Sequence, residues 1–197
     1  MSQLKEDKRI VRTRNALKDA LLNIMKDKDF KDITATEITK SAGCNRVTFY
    51  SHYPDKETLL QSIFADYMEG FVEQFRSYYK DGKPFDIRDE TRSIKLFKYV
   101  KEHSFIFKMI LKGEILPGSQ NYFCDTISKV SESDLRLLED SIEDINIDAL
   151  RFYQVYASLG LFLYWVDSDF KESPEYMSKQ ASKFLQFTPT LVGVTKK

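Results

Sequence analysis

The sequence is poor in residues that cross-link or punctuate a chain. Its 197 residues include two cysteines, Cys44 and Cys124, which supply neither a disulfide framework nor a metal-ligand spacing. A reduced, cytoplasmic setting is therefore expected. Seven glycines and five prolines disfavour a turn-rich all-β fold. An excess of one charge sign is also absent, because 30 Lys and Arg balance 30 Asp and Glu. The opening stretch MSQLKEDKRIVRTR has no apolar centre and does not read as a signal peptide. The most apolar segment, 147–166, approaches the length of a membrane span, yet it carries Asp148, Arg151 and Gln154, and ionisable groups are costly in lipid. No membrane association is expected. No convergent nucleophile, acid–base pair or metal cluster is legible, so neither an enzyme nor a cofactor is predicted. His103 has no sequence partner that would make it a ligand or a base.

Hydrophobic residues make up 42% and charged residues 30%, the balance of a soluble globular chain. The length suffices to bury a core in one or two small domains. Charge is unevenly placed. Residues 1–60 hold 12 Lys and Arg against 9 Asp and Glu, and the remainder holds 18 against 21. At the amino end Lys5, Lys8, Arg9, Arg12 and Arg14 face Glu6 and Asp7 alone. A local basic arm can meet phosphates whatever the global charge, and a solvated, frayed terminus is the plainer alternative.

The segment from Thr34 to Leu60, TATEITKSAGCNRVTFYSHYPDKETLL, is the most informative. Thr34 predicts an N-cap, with Glu37 three residues on to reach back to the cap amide. Ile38 and Ala42 share one face of the helix that follows. Gly43 supplies a left-handed residue to end it. Asn45 can cap a second short helix over about Arg46–His52. Its Phe49 and Tyr53 are expected in the core, which leaves Arg46, Thr48, Tyr50 and His52 facing outward. Pro54-Asp55 then breaks the chain and caps a long helix to about Tyr79. A short helix rich in donors suits the DNA major groove.

These residues carry a resemblance. Thr34, Ile38, Ala42-Gly43, Thr48-Phe49-Tyr50, His52-Tyr53, Lys56-Glu57 and Leu59-Leu60, in register and without a gap, resemble the DNA-binding head of the TetR family of bacterial transcriptional regulators. The resemblance extends back to about Arg9. It implies an all-α fold of about nine helices: a helix-turn-helix head over 1–55 (motif 34–53), a linking helix over 56–80, and a helical regulatory and dimerisation body over 81–197. It further implies a homodimer on a palindromic double-stranded DNA operator, a ligand-responsive repressor as the commonest mode, and a nucleoid-associated location. The residues expected at DNA are Thr36, Asn45, Arg46, Val47, Thr48, Tyr50, Ser51, His52 and Lys56. Arg46 is the best candidate for reading guanine, with phosphate as the rival partner. Val47 stands where many relatives carry Gly or Ala, and it either meets a thymine methyl or packs inward. Lys56, at a helix start, adds charge to the free amides that attract phosphate.

Beyond the head the periodicity remains helical. A first helix is expected over about Arg9–Asp27, with Ile10, Leu17, Ala20, Leu21 and Ile24 as its stripe, and Phe30 and Ile33 plug the head core. Further helices follow from Arg88, with a break at His103-Ser104, a stop at Gly113, and another over Ser119 to about Leu138. The acidic stretch Glu132–Asp148 reads as a solvated face. Segment 147–166 is apolar on most sides and must be covered on most sides, so a second copy of the chain is its natural lid. Ser173 and Pro174 start a last helix. By the resemblance, Tyr153, Leu161, Tyr164, Trp165, Met177 and Phe184 are expected at the dimer interface. Phe71, Phe75, Phe97, Phe107, Phe123 and Tyr156 are expected around a small apolar or aromatic effector, with plain core as the alternative for each. The neutral net charge leaves one rival open: a regulator acting mainly through protein contacts, with an auxiliary DNA-binding head.

Overall fold

A computed structural model describes residues 8–79, 83–86, 88–135 and 145–186. Among them are nine α-helices and one 3-10 turn, and no strand. In chain order the helices are α1 (Lys8–Ile24), α2 (Ala35–Ser41), α3 (Arg46–His52), α4 (Lys56–Arg76), α5 (Ile94–Glu102), α6 (Ser104–Lys112), α7 (Ser119–Asp134), α8 (Ile147–Asp167) and α9 (Pro174–Gln186), with the 3-10 turn at Phe30–Asp32. The chain is all-α, as expected. The acidic residues Glu139, Asp140, Glu143 and Asp144, the amino-terminal Lys5 and the tail from Thr188 lie outside the described residues.

Two helices stop short of their expected ends for the same reason. After Ile24 the amides of Lys26 and Asp27 bond three residues back, to Asn23 and Ile24, and after Arg76 the amide of Tyr79 bonds to Arg76. Such i→i+3 bonds tighten a last turn into a non-helical one. The chain divides into two compact units, 1–67 and 68–197, and the division falls inside α4, the helix expected to link them.

The first unit is a small three-helix core closed by the start of α4. Leu17, Ala20 and Leu21 of α1, Ile38 of α2, Phe49 of α3 and Leu59, Leu60, Ile63 and Phe64 of α4 are buried, together with Met25, Ile33 and Tyr53 from the connections. Ile10, placed on the α1 stripe by periodicity, is exposed. Phe30, expected as a core plug, is half-buried, and its ring lies 4.8 Å from the Lys56 ammonium.

The second unit is organised by aromatic rings. Phe71 of α4 lies 5.7 Å from Phe107, 5.3 Å from Phe123 and 5.9 Å from Phe162, and Phe97 lies 5.0 Å from Phe162 and 5.4 Å from Trp165. These spacings are those of rings in direct contact. Trp165 is fully buried, and its indole N–H donates to the Glu172 carbonyl at 3.0 Å. Helix α8 ends through two left-handed non-glycine residues, Asp169 (φ 53°) and Phe170 (φ 57°). Such residues cost about 1–2 kcal/mol each. Burial of Phe170 edge-on to Trp165, with ring centres 5.1 Å apart, offsets that cost. The expected start of α9 is present: the Ser173 hydroxyl accepts from the Tyr176 amide at 3.1 Å, with Pro174 first in the helix.

Candidate nucleic-acid interface

The local geometry of residues 34–58 follows from hydrogen bonds within single turns. At the start of α2 the Glu37 amide donates to the Thr34 hydroxyl at 3.3 Å, and the Thr34 amide donates to the Glu37 carboxylate at 2.9 Å. This reciprocal pair satisfies two amides that a helix start leaves unpaired. Lys28 clamps the same carboxylate at 2.7 Å. Its hydrogen bond, with those of Thr34, holds the Glu37 carboxyl down to about 2. Gly43 turns the chain at φ 65°, a conformation that costs glycine little. The Asn45 carbonyl oxygen then accepts from the Thr48 amide at 2.8 Å and from the Thr48 hydroxyl at 3.0 Å, capping α3. Asp55 caps α4 by accepting from the Thr58 amide at 2.6 Å. Three successive caps thus fix the angle at which α3 leaves the core.

Helix α3 is two-sided. Phe49 is fully buried, and Tyr53 beyond its end is buried beside it. On the opposite face Val47 is 79% exposed and Tyr50 48% exposed, with Arg46 and Ser51 exposed beside them. The inward packing left open for Val47 is therefore corrected: Phe49 occupies the inward direction, and a residue two positions earlier on a helix points away from it. Arg46 lies along the helix surface toward Tyr50, with Nη2 donating to the phenol oxygen at 3.4 Å and the guanidinium carbon 5.8 Å from the ring centre. Thr36 and Asn45 are exposed, and Thr48 and His52 are half-buried. The Ser51 hydroxyl donates to the Thr48 carbonyl at 2.8 Å.

Lys56 departs from expectation. Its ammonium donates to the carbonyls of Phe30, Lys31 and Ile33 at 2.8, 2.9 and 2.8 Å. An ammonium has three protons, so all are taken by the connector between α1 and α2. In this arrangement the side chain ties the 3-10 turn to the start of α4, and a phosphate contact would require it to leave these carbonyls.

The residues expected around an effector separate. Phe71, Phe97 and Phe123 are buried and packed ring against ring with Phe162, a residue that periodicity did not single out, and Phe107 is buried against Phe71. They pack as core, the alternative given for each of them. Phe75 borders a cleft with Tyr78, Tyr79, Phe85, Arg92, Ser93 and Leu96. Tyr156 is exposed on α8, 4.5 Å from the Phe152 ring. The expected dimer residues also separate. Tyr153, Tyr164 and Phe184 are exposed, and Leu161 is half-buried. Trp165 and Met177 are fully buried within the chain, so their place at an interface is corrected. An α8 that is apolar on most sides gave no periodic sign of which side turns inward. Among the described residues, no group of acidic, His and Cys side chains could hold a metal ion, and no helix is long and apolar enough to cross a membrane.

A short helix held outward by caps, behind a glycine turn and over a buried aromatic, defines a helix-turn-helix protein. The family model for bacterial regulatory proteins of the tetR family matches residues 17–63, and a model described as a transcriptional regulator C-terminal region matches residues 90–187. The chain belongs to the TetR family of transcriptional regulators. It is 23% identical over 167 residues to the uncharacterized HTH-type transcriptional regulator YxbF of Bacillus subtilis (strain 168), a match covering 83% of this chain and 42% of that protein. The chain thus spans under half the length of this curated relative. Among solved structures it is similar to a TetR-family regulator from Syntrophomonas wolfei, with a TM-score of 0.68, 13% identity, and 88% of this chain and 93% of that one covered. It is also similar to FadR of Thermus thermophilus, a TetR-family repressor in complex with lauroyl-CoA, with a TM-score of 0.55, 18% identity, and coverage of 93% and 98%.

Proposed function

We propose that the chain binds a palindromic DNA operator as a homodimer through the outer face of α3, and that a small ligand held by the second unit changes that affinity, most simply to relieve repression. The observation that carries this reading is the two-sidedness of α3. Core packing explains Phe49 and Tyr53, but it does not explain a 79% exposed valine between Arg46 and Tyr50. A major groove does: Val47 meets a thymine methyl, Arg46 leaves Tyr50 for guanine O6 and N7, and Tyr50, Ser51, His52, Thr48, Asn45 and Thr36 meet phosphates or sugars.

Dimerisation rests on exposed aromatic area. Phe152, Tyr153, Tyr156 and Tyr164 project from α8, and Tyr176, Phe184 and Leu185 from α9. Large exposed apolar patches of this kind mark interfaces. Ala157 and Gly160, both exposed on α8, leave room for close approach by a second helix. Two heads related by a twofold axis would enter successive major grooves about 34 Å apart. The lauroyl-CoA in the T. thermophilus neighbour supports a ligand-responsive body in this architecture, and reciprocity requires that a ligand which weakens DNA binding be weakened by DNA.

Mobility-shift titrations of the purified chain against its own promoter region test the reading. Binding should fall steeply with salt. Arg46→Ala should cost about 1–3 kcal/mol at one base position, and Tyr50→Ala should weaken matched and scrambled sites alike. Salt-independent binding, or no binding by the chain alone, favours regulation through protein contacts.

A further inference from the structure

Arg92, in the turn before α5, is half-buried, and one of its donors meets no protein partner among the described residues. It shares a cleft with Phe75, Tyr78, Tyr79, Phe85, Ser93 and Leu96. Its Nε is sealed from solvent and, among the described residues, meets no acceptor. Buried donors are rarely left this way, and an unpaired one is costly. Burial pulls the guanidinium below its ordinary value, while Tyr78 and Asp89 pull it back upward. Asp89 is otherwise engaged: it accepts the Tyr78 hydroxyl at 2.6 Å, and the Thr91 amide and hydroxyl at 2.8 Å each.

We propose that Arg92 anchors the carboxylate of a small aromatic acid, with the acid's ring seated between Tyr78 and Tyr79 in the place of Phe85. The Nε edge of a guanidinium, with one terminal nitrogen, matches the two oxygens of a carboxylate. The free space in the cleft is about 10 Å³, room for roughly one water, so a ring enters only by displacing a wall. Tyr78 and Tyr79 are fixed walls, because their hydroxyls donate to Asp89 at 2.6 Å and to Asp134 at 2.9 Å. Phe85 lies on a stretch outside the helices, stacked on Tyr79 at 5.8 Å and 14° and edge-on to Tyr78 at 5.2 Å. A ligand ring that replaces it restores both aromatic contacts. The neighbouring Asp86 and Asp89 carboxylates favour a monoanion over a polyanion. The segment also bonds to α9, where Ser178 donates to the Glu90 carbonyl at 2.6 Å and Ser182 to the Asp89 carbonyl at 3.0 Å. A ligand here therefore acts on a helix that carries exposed Tyr176 and Phe184.

The regulatory meaning rests on the ligand-responsive reading above, but the binding itself is tested without DNA. The side-chain Nε–H resonance of Arg92 in the ¹⁵N-labelled full chain, identified by its loss in Arg92→Gln, is followed while benzoate, acetate or benzamide is added. Benzoate should shift it saturably, acetate more weakly, and uncharged benzamide not at all. Arg92→Gln, and Arg92→Lys as a second variant that keeps the charge but not the planar edge, should each weaken benzoate about 10- to 100-fold. Phe85→Ala should bind benzoate at least as well as the native chain. The proposal is overturned by no saturable shift at ~10 mM benzoate, an affinity too weak for a built site, by equal binding of benzamide, or by unchanged benzoate affinity in both Arg92 variants. Loss of DNA binding leaves all these readouts untouched, so the two readings fail separately.

Discussion

Lys56→Met separates two roles for the same ammonium. Methionine keeps the aliphatic stem and removes the three donors that hold the Phe30, Lys31 and Ile33 carbonyls at 2.8, 2.9 and 2.8 Å. Phe30 and Lys31 are partly exposed and their carbonyls can recover water, while Ile33 is buried, so averaged over the three each bond contributes about 0.5–1 kcal/mol. The contact with the Phe30 ring, 4.8 Å from the ammonium, adds about 0.5–1 kcal/mol. The total, about 2–4 kcal/mol, corresponds to a fall in midpoint of about 5–15 °C for a chain of this size. Circular dichroism melts measure the fall, and mobility shifts at a temperature where both proteins are folded measure DNA affinity. The structure predicts a large loss of stability with a small direct loss of affinity. A midpoint within about 1 °C of the native one, joined to a loss of DNA affinity of about tenfold or more, would return the ammonium to phosphate and refute the reasoning.

Other perturbations follow from single contacts. Glu37, held down to about 2 by Lys28 and Thr34, has a folded value below its unfolded one near 4.5. Its contribution is therefore complete above about pH 4.5 and disappears as pH falls toward 2. Glu37→Gln should flatten the stability–pH slope in that window, and an unchanged slope would show that the capping box is not what protonation breaks. A Cβ at Gly70 would fall on the Tyr99 hydroxyl, and Tyr99 is packed 4.5 Å from His103 and 5.8 Å from Phe107. Gly70→Ala should then lower the denaturant midpoint by the equivalent of about 1–3 kcal/mol, and native-like stability would mean that α4 and α5 are not in close packing there. Tyr153→Glu combined with Tyr164→Glu should leave a folded chain that sediments as a monomer. A persistent dimer would move the interface off α8.

Much of the head was legible in the sequence because its determinants are local. The capping box at Thr34 and Glu37, the Gly43 turn, the Asn45 cap and the burial of Phe49 and Tyr53 all depend on spacings of three or four residues, and each appears in the structure. The body was less legible because its decisive contacts join distant residues. Helix α8 is apolar on most sides, so nothing in its periodicity assigned Trp165 inward and Tyr164 outward. The ring cluster of Phe71, Phe97, Phe107, Phe123 and Phe162 draws on five helices, and a sequence does not distinguish such a cluster from a pocket wall. The contacts of Lys56 were hidden for a related reason: a cation at a helix start suggests phosphate, while the acceptors it meets in the structure lie 23 to 26 residues earlier. Arg92 gave no signal at all, since one arginine in a turn among 30 basic residues is unremarked until the aromatic residues close around it.

Selection of bound sequences from a random duplex library by the purified chain tests the outward face of α3 most directly. The geometry predicts an enriched palindrome whose half-sites are centred about 10 base pairs apart or a multiple of it, with one position losing its preference when Arg46→Ala is used instead. Enrichment of no sequence, or an identical motif from Arg46→Ala, Val47→Ala and Tyr50→Ala proteins, would contradict it.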